Sequence, residues 1–101
     1  NEEMNEIFSS SELDQKARRL SVVQPRLTSA LLRQTPATVV VIFIVDENGR
    51  VQDPKVQRTT NPSFDRSALA AIKQWKFEPA KVQGRSVSSR LRQSFSFENS
   101  T

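Results

Sequence analysis

The chain contains no cysteine, no histidine and no tyrosine. Without cysteine there is no disulfide framework and no thiolate zinc site. Without histidine there is no Ser-His-Asp or Cys-His nucleophile pair. The lack of tyrosine removes another common acid/base group. Absent thiols also suit an oxidising compartment, where a stray cysteine is a liability. No apolar run is long enough to span a bilayer, and no charged-then-apolar signal segment opens the sequence. An enzyme built from this chain would have to rely on carboxylates alone. The pair Asp46 and Glu47 shares a hairpin tip, where solvation gives neither pKa a reason to shift. A non-enzyme is therefore expected, with no catalytic, cofactor or metal site. The first residue is Asn1 rather than Met, as expected of an excised or processed piece.

What is present fits one small domain. The 101 residues are 36% hydrophobic, enough to argue against wholesale disorder. The net charge of +4 is unevenly placed. Glu2, Glu3, Glu6, Glu12 and Asp14 fall in the first fifteen residues without a single base, and all fifteen Lys and Arg follow against six acids. A basic body behind an acidic leader suits an anionic partner: nucleic acid, a lipid surface, or an acidic protein or polymer. The plainer reading of the same charge is solubility and a solvated face.

Residues 1–18 read as an acidic, mobile leader or linker end, with at most a helical turn at residues 4–8, and residues 99–101 as a tail. The domain proper is expected over residues 19–98. It begins with an extended arm holding Leu20, Val22 and Val23, which Pro25 ends, and a short helix over residues 28–34 that Thr35-Pro36 breaks. Residues 39–45 are seven consecutive β-formers, a strand expected to be buried on both faces. Asn48-Gly49 supplies the positive φ angles of a tight hairpin turn. The return strand, from Arg50 to about Arg58, contains Pro54 and so must be a sheet edge. Asn61 or Ser63 can cap a helix over residues 65–76, whose stripe is Ala68, Leu69, Ile72 and Trp75. Residues 80–85 form a connector turning at Gly84. Residues 86–97 then alternate as a last strand, with Val87, Ser89, Leu91, Gln93, Phe95 and Phe97 on one face.

The expected fold class is α+β. A three-stranded antiparallel sheet in the order 2-1-3 carries the long helix on one face and a short N-terminal helix. The other face is covered at least in part by the arm of residues 20–32 or by a partner. Proline blunts one sheet edge. The other edge, along the last strand, keeps a regular row of unpaired backbone groups, which natural monomers rarely leave without a use.

Residues 39–97 resemble the C-terminal domain of the TonB family, the energy transducers of Gram-negative envelopes. The strand pattern is matched by Val39, Val41, Phe43, Val45-Asp46 and Gly49-Arg50-Val51. The helix pattern is matched by Asp65, Ala68, Ala71, Ile72, Trp75, Phe77 and Pro79, followed by Gly84 and Phe95-Ser96-Phe97. Upstream, Gln24-Pro25 looks like the start of the family's Gln-Pro-x-Tyr-Pro segment, with Leu27-Thr28 in place of Tyr-Pro, and Ala37 stands near a usual glycine.

The resemblance implies a periplasmic domain whose parent is anchored in the inner membrane and coupled there to a proton-driven motor complex. It would bind the TonB box peptide of an outer-membrane receptor as an extra strand and transmit force to the receptor's plug. No cofactor is implied. The candidate partner-binding residues are Gln24, Pro25, Arg26 and Leu27 on the arm, with Val87, Ser88, Ser89, Arg90, Leu91, Arg92, Gln93 and Ser94 on the last strand. Arg90 and Arg92 are placed either to meet acids beside the peptide or simply to solvate the strand face. Trp75 and Phe77 belong on the helix–sheet seam, as core. The open edge also admits a homodimer through strand pairing. Two alternatives remain: a TonB-like module with a non-receptor envelope partner, left open by Leu27-Thr28, and a basic nucleic-acid-binding module. The last lacks a pair of strand aromatics for stacking bases, so nucleic acid is not the expected partner. Any nucleic-acid affinity should accordingly be electrostatic alone. In fluorescence anisotropy it should collapse with added salt and show no sequence preference.

Overall fold

The computed structural model describes residues 7–8 and 12–98. Its centre is β3 (Ala37–Val45), paired antiparallel on one side with β4 (Val51–Thr59) and on the other with β7 (Arg85–Phe97). Among the described residues β4 pairs only with β3, and Pro54 sits on that edge strand at a register break beside Asp53, whose φ is +54°. The start of β7 takes two further short strands. β6 (Ala80–Val82) joins it through a hairpin, and β1 (Ile7–Phe8) lies parallel to it. A separate antiparallel pair is made by β2 (Arg18–Ser21) and β5 (Lys76–Glu78). Of the helical turn expected at residues 4–8, Ile7 and Phe8 are instead strand, while residues 4–6 lie outside the described residues.

The two hairpins solve their turns differently. At the β3–β4 tip only Gly49 has a positive φ, so the expected pair of left-handed residues at Asn48-Gly49 does not form. Asp46 replaces it as organiser. Its Oδ1 accepts from the Asn48 and Arg50 N–H groups, both at 2.9 Å, and its Oδ2 accepts from the Gln52 amide at 2.9 Å. Burial pushes the Asp46 carboxyl up. The Arg50 N–H, the Gln52 amide, the Asn48 N–H and the Arg50 charge together outweigh that and hold it below the ordinary value. Asp46 is thus not the unperturbed, solvated carboxylate expected from sequence. At the β6–β7 turn Gln83 and Gly84 both have positive φ, at +51° and +79°, which makes a two-residue hairpin loop and turns the expected connector into a strand.

A single 3-10 turn, Pro62–Phe64, leads into α2 (Asp65–Ile72), with Asn61 Oδ1 accepting from the Ser63 N–H at 3.0 Å. The helix stops four residues earlier than its apolar spacing predicts. The physical reason lies in Trp75 and Phe77, both buried. Two residues apart on a helix they would point to opposite sides, whereas in an extended chain they share one side. A tightening turn, with the Gln74 N–H on Ala71 O and the Trp75 N–H on Ile72 O, hands the chain to β5 and sends both rings into the core. There they meet Phe43 and Phe95, with ring centroids 5.6–5.7 Å apart for Trp75–Phe95 and Phe43–Phe77.

Val39, Val41, Phe43 and Val45 line the core face of β3 beneath α2. The arm packs on this same side. Val23, Leu27 and Leu31 lie against the core cluster, and α1 (Ser29–Leu32), capped by the Thr28 hydroxyl, follows. The arm therefore does not cover the back of the sheet as expected. There Val40 is 6% exposed, but Ile42 and Ile44 are only half-buried.

Gly49 also meets a steric limit, because the Phe77 N–H donates to Gly49 O at 2.9 Å and an added Cβ would stand 1.9 Å from Phe77 O. Gly49→Ala should therefore cost at least about 2 kcal/mol in urea unfolding. Gly84→Ala, where an added Cβ meets nothing within 4 Å, should cost only the left-handed backbone penalty of about 1 kcal/mol.

Candidate partner-binding edge

β7 is thirteen residues long and β3 is nine, so β7 overhangs its neighbour. Its inner side pairs with β3 from Ser89 to Phe97. At its start β6 takes Arg85 to Val87 beyond the end of β3, and on its outer side β1 takes Ser88 and Ser89. From Arg90 to Phe97 no described strand pairs with the outer side. The candidate residues therefore divide. Val87 is buried opposite Ala80, Ser88 lies opposite Ile7, and Ser89, 1% exposed, is enclosed between Phe8 and Val45. Arg90, Leu91, Arg92, Gln93 and Ser94 lie on the unpaired stretch.

The arm forms a second wall along that stretch. A cleft of about 340 Å³ brings Gln24, Pro25 and Leu27 together with residues 93–98. A neighbouring cleft of about 400 Å³ sets Ala17, Arg18 and Arg19 across from Leu91, Arg92 and Gln93, with Phe43 and Phe77 at its floor. Arg26 is not part of this wall and lines a hollow against α2 with Arg66 and Gln74. Ala17, Arg18, Arg19 and Val22 were not among the sequence candidates. The available signal was the apolar character of the arm, where Val22, 48% exposed, lines the cleft and Leu20 is 69% exposed.

Two contacts hold the arm in place. The Trp75 indole N–H donates to Val23 O at 2.9 Å, from a ring otherwise packed in the core. Arg18 Nε donates to Glu78 Oε1 at 2.9 Å across the β2–β5 pair. This ion pair is largely solvent-exposed and fixes direction more than it adds stability. Chemically, the site offers backbone donors and acceptors in a row, apolar floor atoms, and the cations Arg19, Arg90 and Arg92. Among the described residues no three His, Cys, Asp or Glu side chains gather closely enough to hold a metal ion. Phe43, Phe64, Trp75, Phe77, Phe95 and Phe97 are all buried, so none of them offers a ring on which a base could stack.

Residues 28–98 match the family described as Gram-negative bacterial TonB protein C-terminal. The chain belongs to that family. It is 36% identical over 55 residues to the protein TonB of two strains of Xanthomonas campestris pv. campestris, a match covering 54% of this chain and 25% of theirs. The chain thus spans about a quarter of the length of these curated relatives. Its fold is similar to that of the TonB C-terminal domain of Pseudomonas aeruginosa solved by NMR. The TM-score is 0.70 at 23% identity, over 94% of this chain and 96% of that one. The family match begins at residue 28, so Gln24-Pro25, the arm strand β2 and β1 lie upstream of it. No helix among the described residues is long and apolar enough to cross a membrane.

The indole–carbonyl bond is one of the contacts that tie this upstream wall to the family core. Trp75→Phe keeps most of the apolar volume and leaves Val23 O without its donor. It should cost about 1–2 kcal/mol and speed amide exchange over residues 20–27 more than in β3.

Proposed function

We propose that this chain is the receptor-gripping, periplasmic domain of a TonB-type energy transducer. It captures the TonB box of an outer-membrane receptor as an added strand along residues 90–97 of β7. The observation that carries this reading is the unpaired outer stretch of β7, walled on its far side by Gln24, Pro25 and the arm. Main-chain ladder bonds supply affinity in such a mode, so peptides of differing sequence can be held by one edge. Arg90 and Arg92 add attraction for an acidic neighbour of the peptide without fixing its sequence.

Force transmission follows from the same geometry. A pull along β7 loads several parallel ladder bonds at once, and β7 passes the load to β3 through nine paired positions. A longer parent, anchored in the inner membrane and coupled to a proton-driven motor, would supply the pull. The role is mechanical, with no catalytic step and no cofactor. The same edge would also pair two copies of the chain at high concentration, so titrations belong at low micromolar protein.

Proline variants test the reading. Of two consecutive strand residues, one directs its N–H outward. Arg92→Pro and Gln93→Pro therefore sample both registers, and circular dichroism identifies which variant remains folded. The folded one should lose at least about tenfold in affinity for a TonB-box peptide. Arg92→Ala should lose no more than about threefold. Gln57→Pro, in the bulge of β4 on the opposite edge, should leave affinity unchanged. Full peptide affinity in a folded edge-proline variant would overturn strand addition.

A further inference from the structure

Among the described residues the back of the sheet carries no helix, because α1, α2 and the arm pack on the other face. Seven consecutive β-formers at residues 39–45 suit a strand buried on both faces, yet only the core face has its covering layer. On the back, Ile42 and Ile44 are half-buried and floor a hollow of about 590 Å³. Ile7 of β1 adds to the apolar lining. Arg92 on β7 and Lys55 on β4 stand on either side of Ile42, and Arg90 on β7 stands opposite Ile44. Residues opposite each other in a ladder share a face, so three cations rim one apolar floor. All three are exposed, and Asp53 is the one acid among the described lining residues.

We propose that this face docks an acidic amphipathic helix of a partner protein, laid along β3 with its apolar stripe on Ile42 and Ile44. Spacing and charge select that occupant. Side chains two residues apart on a strand are separated by about 7 Å, close to the rise of about 6 Å between helix positions i and i+4. The cations of β7 and β4 flank β3 two strand spacings apart, about 10 Å, which is the width of a helix with its side chains. Acids along the helix flanks then stand over Arg90 and Arg92 on one side and Lys55 on the other. Asp53 lies on the β4 side, so the more acidic flank faces β7. Other occupants match this face less well. A lipid surface takes up apolar groups that stand above the cations, whereas here they lie at the floor. A second copy across a two-fold axis sets the same three cations against one another. The docking goes beyond the capture reading and does not rest on it, because the helix lies on the face of the sheet and the captured strand at its edge.

The test titrates the full chain with two synthetic helical peptides that share one leucine stripe, flanked in one by glutamate and in the other by lysine. In backbone amide spectra the glutamate peptide should shift Ile42, Ile44, Lys55, Arg90 and Arg92. It should bind at least about tenfold more tightly than the lysine peptide. Lys55→Glu, away from the β7 edge, should weaken the glutamate peptide at least about threefold and strengthen the lysine peptide, with affinity for a TonB-box peptide unchanged. Peptide charge is varied on the parent as well, so the outcome does not depend on that variant folding. Absence of the shifts, or equal affinity for the two peptides, would overturn the docking. The same shifts produced by phosphatidylglycerol vesicles alone would assign the face to a lipid surface, and shifts that grow with protein concentration alone would assign it to a second copy; either result overturns the helix. Failure of the TonB-box peptide to bind, with the glutamate-peptide shifts present, would overturn the capture reading and leave this docking supported.

Discussion

Everything else in this domain depends on β3 being paired along both edges. Its core face supplies Val39, Val41, Phe43 and Val45, all buried, and its two ladders fix where β4 and β7 can lie. A strand satisfied on both sides has no free backbone to offer. The unpaired backbone groups of the sheet are thereby displaced outward to β4 and β7. The rings of Phe43, Trp75, Phe77 and Phe95 then lock α2 and β5 over that face. A small domain with so few core residues cannot lose one of these contacts cheaply.

The two outer strands are treated in opposite ways. β4 carries Pro54, a left-handed Asp53 and two register breaks, features that spoil an edge as a template for another strand. β7 runs on regularly for thirteen residues, and among the described residues its outer side is paired at Ser88 and Ser89, by β1. What remains is a stretch of defined length, bounded at one end by Phe8 of the chain itself and walled by the arm. This division of labour gives the sheet one edge that resists pairing and one that invites it. The arm is held in part by an indole N–H from the core, so the wall and the floor of the site both draw on Trp75.

Much of this was legible in the residues. The apolar run at residues 39–45 reads as the central strand because nothing else in the chain could bury so many β-branched side chains. Pro54 marks its strand as an edge, and the alternation of residues 86–97 marks the last strand. The helix end is not legible in the residues, because Trp75 continues the helical stripe. Only the need to bury Phe77 beside it favours the extended chain. The Asn48-Gly49 signal was read as a two-residue turn because sequence spacing does not show that the Asp46 carboxylate will take up the N–H groups of the tip. Arg26 adjoins Gln24 and Pro25 in sequence, yet neighbours along an extended segment face different ways, and it lines the hollow against α2.

The sequence by itself determined the elements whose signals are local: a β-branched run, a proline that cannot donate, an amphipathic stripe, a spaced set of family residues. Each of these is an effect of side chains on their own backbone. Only the tertiary structure decided which parts of the β7 edge stay open, which wall the arm forms, and which face of the sheet keeps Ile42 and Ile44 half exposed. Those outcomes depend on where distant segments such as Ile7–Phe8 and the arm come to rest. Two-residue ladders and single hydrogen bonds between segments far apart in sequence leave no periodicity to read, because their geometry exists only once the core between them has formed.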